Sequence, residues 1–182
     1  MACDLEQWKN IPGVTVRQRG TLPVFHIEND LAEADVTPYG AHVLSFIPRG
    51  EKDLLWVSGK ALYEEGRAIR GGIPVCWPWF GKAGTPAHGL ARIAFWKTDF
   101  IRREADGSTT LAFLFESAPD GLRAGLTVNA GHALTVSLRT ENTGTADVLL
   151  SEALHTYFRV SEIGSVRILG LAAEDLPCAW PG

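Results

Sequence analysis

The chain has 182 residues, 46% hydrophobic and 21% charged, which fits one ordinary globular domain and excludes a disordered polypeptide. Its formal charge of −4, with no basic block beyond the Arg102–Arg103 pair, argues against a general nucleic-acid binder. The N-terminus MACDLEQWKN lacks an apolar leader and no apolar run is long enough to span a bilayer, so a protein without a membrane partner is expected. Cys3, Cys76 and Cys178 are odd in number, far apart and without metal spacing, which points to reduced thiols and a cytoplasmic location.

Taken in order, residues 1–13 end in the turn signal Ile11-Pro12-Gly13 and read as an arm. VTVRQRG and LPVFHIEN predict two short strands about Gly20-Thr21. LAEADVTPYGAHVLSFIPRG predicts two more around Pro38–Gly40, and LLWVSG predicts a short buried strand. Residues 61–67 are too short and too glycine-bounded for a stable helix. The stretch from Arg70 to Arg92, RGGIPVCWPWFGKAGTPAHGLAR, is too rich in glycine and proline for one regular element. It is either an aromatic-walled loop carrying cations and an imidazole or an irregular segment crossing the core.

Longer strands are predicted at IAFWKTDFIRRE, TTLAFLFES, LRAGLTVNAG, HALTVSLRTEN and DVLLSEALHTYFRV, separated by Gly, Asp and Asn turns. In HALTVSLRTEN the residues Leu134, Val136 and Leu138 share one face, and Thr135, Ser137 and Arg139 the other. VRILGL (166–171) reads as a further strand, and the chain then stops after AAEDLPCAWPG. This punctuation predicts an all-β protein of antiparallel meanders, with a large sandwich as first choice. Because no partner strand follows, a sheet incomplete at the C-terminus is expected, with a tendency to self-associate.

His26, His42 and His132 have contexts that call only for structural roles. His88 lies between Pro86-Ala87 and Gly89, where the backbone is constrained and the ring can be aimed. His155 shares one strand face with Tyr157, and an imidazole with a pKa of about 6.5 suits general acid or base work. Arg70 and Arg92 bracket the loop, with Lys82 between them. They could bind an anionic substrate through paired charge-assisted hydrogen bonds, or simply pair with Glu64, Glu65 or Asp99. Trp77, Trp79 and Phe80 could stack on a sugar ring or belong to the core. No dinucleotide, phosphate-loop or serine-elbow motif is present, and the histidines are too widely spaced for a sequence-local metal site.

IRGGIPVCWPWFG (69–81), PAHGLAR (86–92) and LHTYFRV (154–160), supported by GAHVLSFIP and LLWVS, resemble the glucose-6-phosphate 1-epimerase branch of the aldose 1-epimerase (galactose mutarotase-like) superfamily. The resemblance covers residues 20 to 171 and implies an antiparallel β-supersandwich that binds sugar on a concave sheet face. It implies that Arg70 and Arg92 contact the substrate and its phosphate, that His88 holds ring oxygens, and that His155 is the general acid. The implied partner is a hexose 6-phosphate, and the implied acid–base chemistry needs no metal or organic cofactor.

Two departures from the family pattern stand out. Ala87 replaces a glutamine found in some relatives. Family members also run well beyond this length, and their general base, a glutamate, is expected beyond residue 182. Residues 172–182 follow no family pattern, so a truncated or frame-shifted single domain spanning 1–182 is expected. Glu152 lies three residues before His155, on the opposite side of a regular strand, and is not expected to replace that base.

Overall fold

The computed structural model describes residues 5–8, 10–116 and 121–169. The predicted tail 172–182, Cys3, Cys178 and Pro119-Asp120 of the turn before residue 122 lie outside the described residues. Every strand ladder among the described residues is antiparallel, with short 3-10 turns and no α-helix, as the turn punctuation predicts. No helix of the described residues is long and apolar enough to cross a membrane.

The first sheet is a meander of four strands: β1 (Val14–Arg19), β2 (Leu22–Glu28), β3 (Ala32–Thr37) and β4 (His42–Pro48), in that order. A second meander follows after a long irregular span: β6 (Lys97–Arg103), β7 (Thr109–Phe115), β8 (Leu122–Ala130) and β9 (Leu134–Asn142). Between and after them, β5 (Val75–Cys76) pairs antiparallel with β10 (Ala153–Leu154).

Alternation decides what each strand buries. Phe25 and Ile27 of β2 and Ala34 and Val36 of β3 point into a core shared with Leu111, Phe113, Leu126 and Val128 of the second sheet. The rings of Phe25 and Phe113 meet there with centroids 6.4 Å apart. Each such side chain contributes about 1.5–3 kcal/mol when removed from water. Asn29 ties the sheets at one end, its amide donating to Thr109 Oγ1 at 3.1 Å and to the Ala130 carbonyl at 3.0 Å.

The opposite face of the first sheet is covered as well, because Leu22, Val24 and Leu44 pack against Tyr39 and Ile69 of the connecting loops. On this face His26 Nδ1 lies 2.8 Å from Asp35, and Arg19 donates to the other carboxylate oxygen at 2.5 Å. His26 thus has the structural role expected from its context.

Three expectations are corrected. LLWVSG forms no regular strand. Leu55 and Val57 make only isolated bridges, to Phe158 and Gly71, because their partners come from irregular segments. DVLLSEALHTYFRV is not one long strand. Only Ala153-Leu154 joins a ladder, with Phe158 in a single bridge and Leu149 left almost fully exposed. Val166–Leu169 of the predicted VRILGL strand belongs to no ladder either, and Ile168 and Leu169 face solvent.

The second sheet ends on β9, whose alternation is as predicted but whose apolar face is only half-buried. Phe46, Leu54, Ile73, Leu134, Val136 and Phe158 line an apolar groove of about 450 Å³ beside it. Leu54 (47% exposed) and Phe158 (69%) stand at this groove.

Candidate functional site

The irregular span from Arg70 to Arg92 is both of the things its composition allowed: part core, part site wall. Trp77 is fully buried, its indole N–H donating to Thr140 Oγ1 at 2.9 Å and its ring edge-on to Phe115 with centroids 5.7 Å apart. Trp79 is half-buried and donates to the Pro86 carbonyl at 2.8 Å, bracing the loop. Neither tryptophan is therefore a sugar-stacking surface. Phe80 is the aromatic that reaches the site, with its ring 4.9 Å from that of His88 and 6.1 Å from that of His155.

Residues 81–88 form a clasped loop. The His88 N–H donates to the Gly81 carbonyl at 2.7 Å, and the Gly81 N–H donates back to His88 Nδ1 at 3.2 Å. His88 adopts φ 65°, in the left-handed region, and Gly89 follows at φ 80°. A side chain at Gly89 would have its Cβ 2.1 Å from the Trp77 carbonyl oxygen, so only glycine lets the loop return against Trp77.

An amide N–H can only donate, so His88 Nδ1 is a bare acceptor and the ring proton sits on Nε2. Desolvation first, then the nearby charges of Arg92 and His155, push the His88 pKa below its usual value and favour this neutral form. His88 therefore presents an Nε2–H donor.

Arg92 is held by one side-chain hydrogen bond. Nη2 donates to the Ala87 carbonyl at 2.7 Å, while Nε is buried without a protein partner among the described residues. Ala87 thus serves through its backbone. Arg70 has its carbonyl pinned by the Ser58 N–H at 2.9 Å, and its guanidinium has no protein partner among the described residues. The ion-pair alternative fails for both arginines, since neither makes an ion pair with Glu64, Glu65 or Asp99 among the described residues, and Glu64 pairs with Arg67 at 3.1 Å. Lys82 is exposed and stands apart from the cavity.

His155 follows β10. Its N–H donates to the Pro74 carbonyl at 3.0 Å, and the Tyr157 N–H donates to the Gly72 carbonyl at 2.9 Å. Residues two apart share a face, so the two rings lie side by side with centroids 5.0 Å apart. The His88 and His155 rings meet edge-on at 6.0 Å.

The four residues named from the sequence, Arg70, His88, Arg92 and His155, line one cavity of about 150 Å³. Tyr157 and Cys76 line it as well. Tyr157 was legible from its alternation with His155, whereas nothing local marked Cys76. Burial pushes the Cys76 thiol pKa up despite the nearby Arg92 charge, so it stays a neutral wall group. No carboxylate lines the cavity among the described residues. Glu152 turns toward β9 instead, accepting from Thr140 Oγ1 at 2.7 Å. The described residues contain no cluster of His, Cys, Asp and Glu that could hold a metal ion.

Below Arg70 the chain passes through Gly71 and Gly72. A Cβ on Gly72, at φ 65°, would lie 2.2 Å from the Val43 carbonyl oxygen. Gly72→Ala is expected to cost at least ~2 kcal/mol through strain and displacement of β4, measurable by urea denaturation. His42 lies against this turn, fully buried, with Nε2 2.7 Å from the Gly71 carbonyl. Desolvation, opposed by that hydrogen bond and reinforced by the Arg92 charge, lowers its pKa from 6.5 to about 4.

The unfolded chain therefore takes up a proton at this histidine before the folded chain does. The stability this group contributes is present above pH 6.5 and falls as the pH drops toward 4. The loss from this group is expected to reach about 3 kcal/mol at pH 4, a dependence that His42→Gln would remove from a series of urea melts.

A family model described as aldose 1-epimerase matches residues 23–178, a span that contains all four site residues. The chain belongs to the aldose 1-epimerase family. It is 35% identical over 169 residues to a protein of Escherichia coli strain K12 provisionally named glucose-6-phosphate 1-epimerase, covering 88% of this chain and 56% of that protein. A Cenchrus ciliaris protein of the same provisional name is 34% identical, with 78% of this chain and 48% of the relative covered.

Among solved structures, the provisionally assigned mutarotase YeaD of Salmonella typhimurium superposes with a TM-score of 0.77 at 30% identity, covering 84% of this chain and 53% of that one. The structure of HI1317 gives 0.69 at 29%, covering 84% and 55%. The chain thus spans about half the length of the curated relatives it matches.

Proposed function

We propose that this cavity binds a hexose 6-phosphate. Arg70 and Arg92 take the phosphate and neighbouring hydroxyls, the His88 Nε2–H donates to a ring hydroxyl oxygen, and Tyr157 and Phe80 bound the apolar side. The observation that carries this reading is the convergence of two guanidinium groups and two imidazoles, from segments far apart in the chain, on one small cavity. Membership of the aldose 1-epimerase family and the provisional names of its relatives support the substrate class.

In the reaction we infer, His155 acts as general acid and gives its proton to the ring oxygen O5. A carboxylate takes the proton of the anomeric hydroxyl, the C1–O5 bond breaks and C1 becomes an aldehyde carbon. Rotation about C1–C2 presents the other carbonyl face, and reclosure returns both protons with the anomer inverted. The carboxylate has to come from outside the described lining of the cavity, because Glu152 is held by Thr140.

NMR magnetisation exchange between the two anomers of glucose 6-phosphate tests this directly. Exchange faster than the spontaneous rate, lost in His155→Ala, is the expected result. A second reading, sugar-phosphate binding without turnover, is favoured by the lack of a carboxylate in the described lining. It predicts heat of binding in calorimetry beside an unchanged exchange rate.

The apolar groove beside β9 supports a further part of the proposal, self-association of this chain. Sedimentation velocity is expected to show concentration-dependent oligomers that Leu54→Ser with Phe158→Ser shifts toward monomer. Equal sedimentation of the two proteins would rule the groove out as the contact.

A further inference from the structure

Arg70 projects into the cavity from a glycine pair that has no side chains of its own to hold it. The flanks of this turn are pinned by backbone bonds: Ser58 N–H to the Arg70 carbonyl at 2.9 Å, Gly72 N–H to Trp56 at 2.8 Å and Ile73 N–H to Val43 at 2.9 Å. The buried Gly71 carbonyl between them takes its hydrogen bond from the side chain of His42. His42 is 1% exposed at the start of β4 and is not among the residues that line the cavity.

We propose that His42 is a positioning residue for the phosphosugar site, holding the Gly71 carbonyl so that Arg70 enters the cavity in a set direction. The proposal rests on the reading of the cavity given above. A carbonyl can only accept, so the His42 ring proton is on Nε2, and Nδ1 is left as a buried acceptor without a partner among the described residues.

The residue type follows from its neighbours. Arg92 lies close enough for its charge to disfavour the imidazolium, so His42 meets one arm of the site through a hydrogen bond and the other through the field of a cation. A lysine or arginine here would bury a further positive charge beside Arg92. A leucine would fill the space and leave the Gly71 carbonyl unpaired. A neutral imidazole supplies the donor without the charge.

A merely structural histidine would change stability and leave ligand affinity alone, so the test reads both. His42→Leu keeps the volume without the donor, and His42→Gln keeps an N–H donor without the ring. Calorimetry with glucose 6-phosphate, at a temperature where circular dichroism shows each variant folded, is expected to give at least about tenfold weaker binding for His42→Leu. His42→Gln should recover affinity to within about threefold of wild type. Amide exchange without ligand should accelerate in residues 69–73 of His42→Leu and stay near wild type in His42→Gln.

Wild-type affinity in a folded His42→Leu, or equal losses in both variants, would overturn the proposal. If His42→Leu does not fold, His42→Asn takes its place: its shorter amide should bind more weakly than His42→Gln, and equal affinity would count against the role. If the wild-type chain gives no heat with glucose 6-phosphate, the phosphosugar reading fails. Ligand-free exchange then decides the positioning role alone, and unchanged exchange over 69–73 overturns it.

Discussion

Arg70→Ala is expected to weaken glucose 6-phosphate binding by about 10–100-fold while leaving the fold intact, because a hydrogen-bonded charge pair contributes about 1.5–3 kcal/mol. The fold is spared for a specific reason. The Arg70 carbonyl carries the structural bond to Ser58, whereas the guanidinium has no protein partner among the described residues. Arg92 is a poorer first target, since its side chain also holds the Ala87 carbonyl and losing it would loosen the 81–88 loop.

Arg70→Lys separates charge from shape. An ammonium keeps the attraction but not the paired donors, so an intermediate affinity is expected. Titration calorimetry at fixed ionic strength checks the series, and exposed charges make that control necessary. Unchanged affinity in Arg70→Ala would remove the phosphate from this wall of the cavity.

Trp77→Ala should cost about 3–5 kcal/mol, a large share of the stability of a domain of this size. Trp77 is fully buried, packs edge-on against Phe115 and donates to Thr140, which in turn donates to Glu152. Removing it opens a cavity and breaks this chain of hydrogen bonds. Phe80→Ala offers the contrast, because Phe80 is 38% exposed and its contacts are the rings of His88 and His155. Its loss should leave the urea midpoint nearly unchanged and weaken ligand binding by several-fold. If the two substitutions destabilise equally, the division of this aromatic cluster into core and site wall is wrong.

The eight long strands are legible because each is a short run of strand-forming residues bounded by turn residues, with clean alternation in β9. Leu134, Val136 and Leu138 point one way in β9 as predicted, although as the last strand of its sheet β9 leaves them only half-covered. Segments without such a signal were misread. Leu54–Val57 and Val148–Val160 are apolar enough for strands, yet apart from the two-residue pairing of β10 with β5 their backbone hydrogen bonds are scattered over single residues of several segments. No local pattern encodes such partners.

The site divides in the same way. By itself the sequence determined the residue types: two arginines and a histidine in a glycine- and proline-rich loop, and a second histidine in a strand-like segment. It also placed Tyr157 beside His155 through the two-residue period. What it left open was whether the loop was wall or core, and whether its arginines were bound to acids. Only the tertiary structure decided that Trp77 is core, that Glu64 pairs with Arg67, that Glu152 turns to Thr140, and that His42 meets the Gly71 carbonyl next to Arg70. The physical reason is that residue type and period are properties of neighbours in the chain. Burial, charge pairing and the choice of hydrogen-bond partner belong to groups that become neighbours only when the two sheets and the 70–92 span pack together.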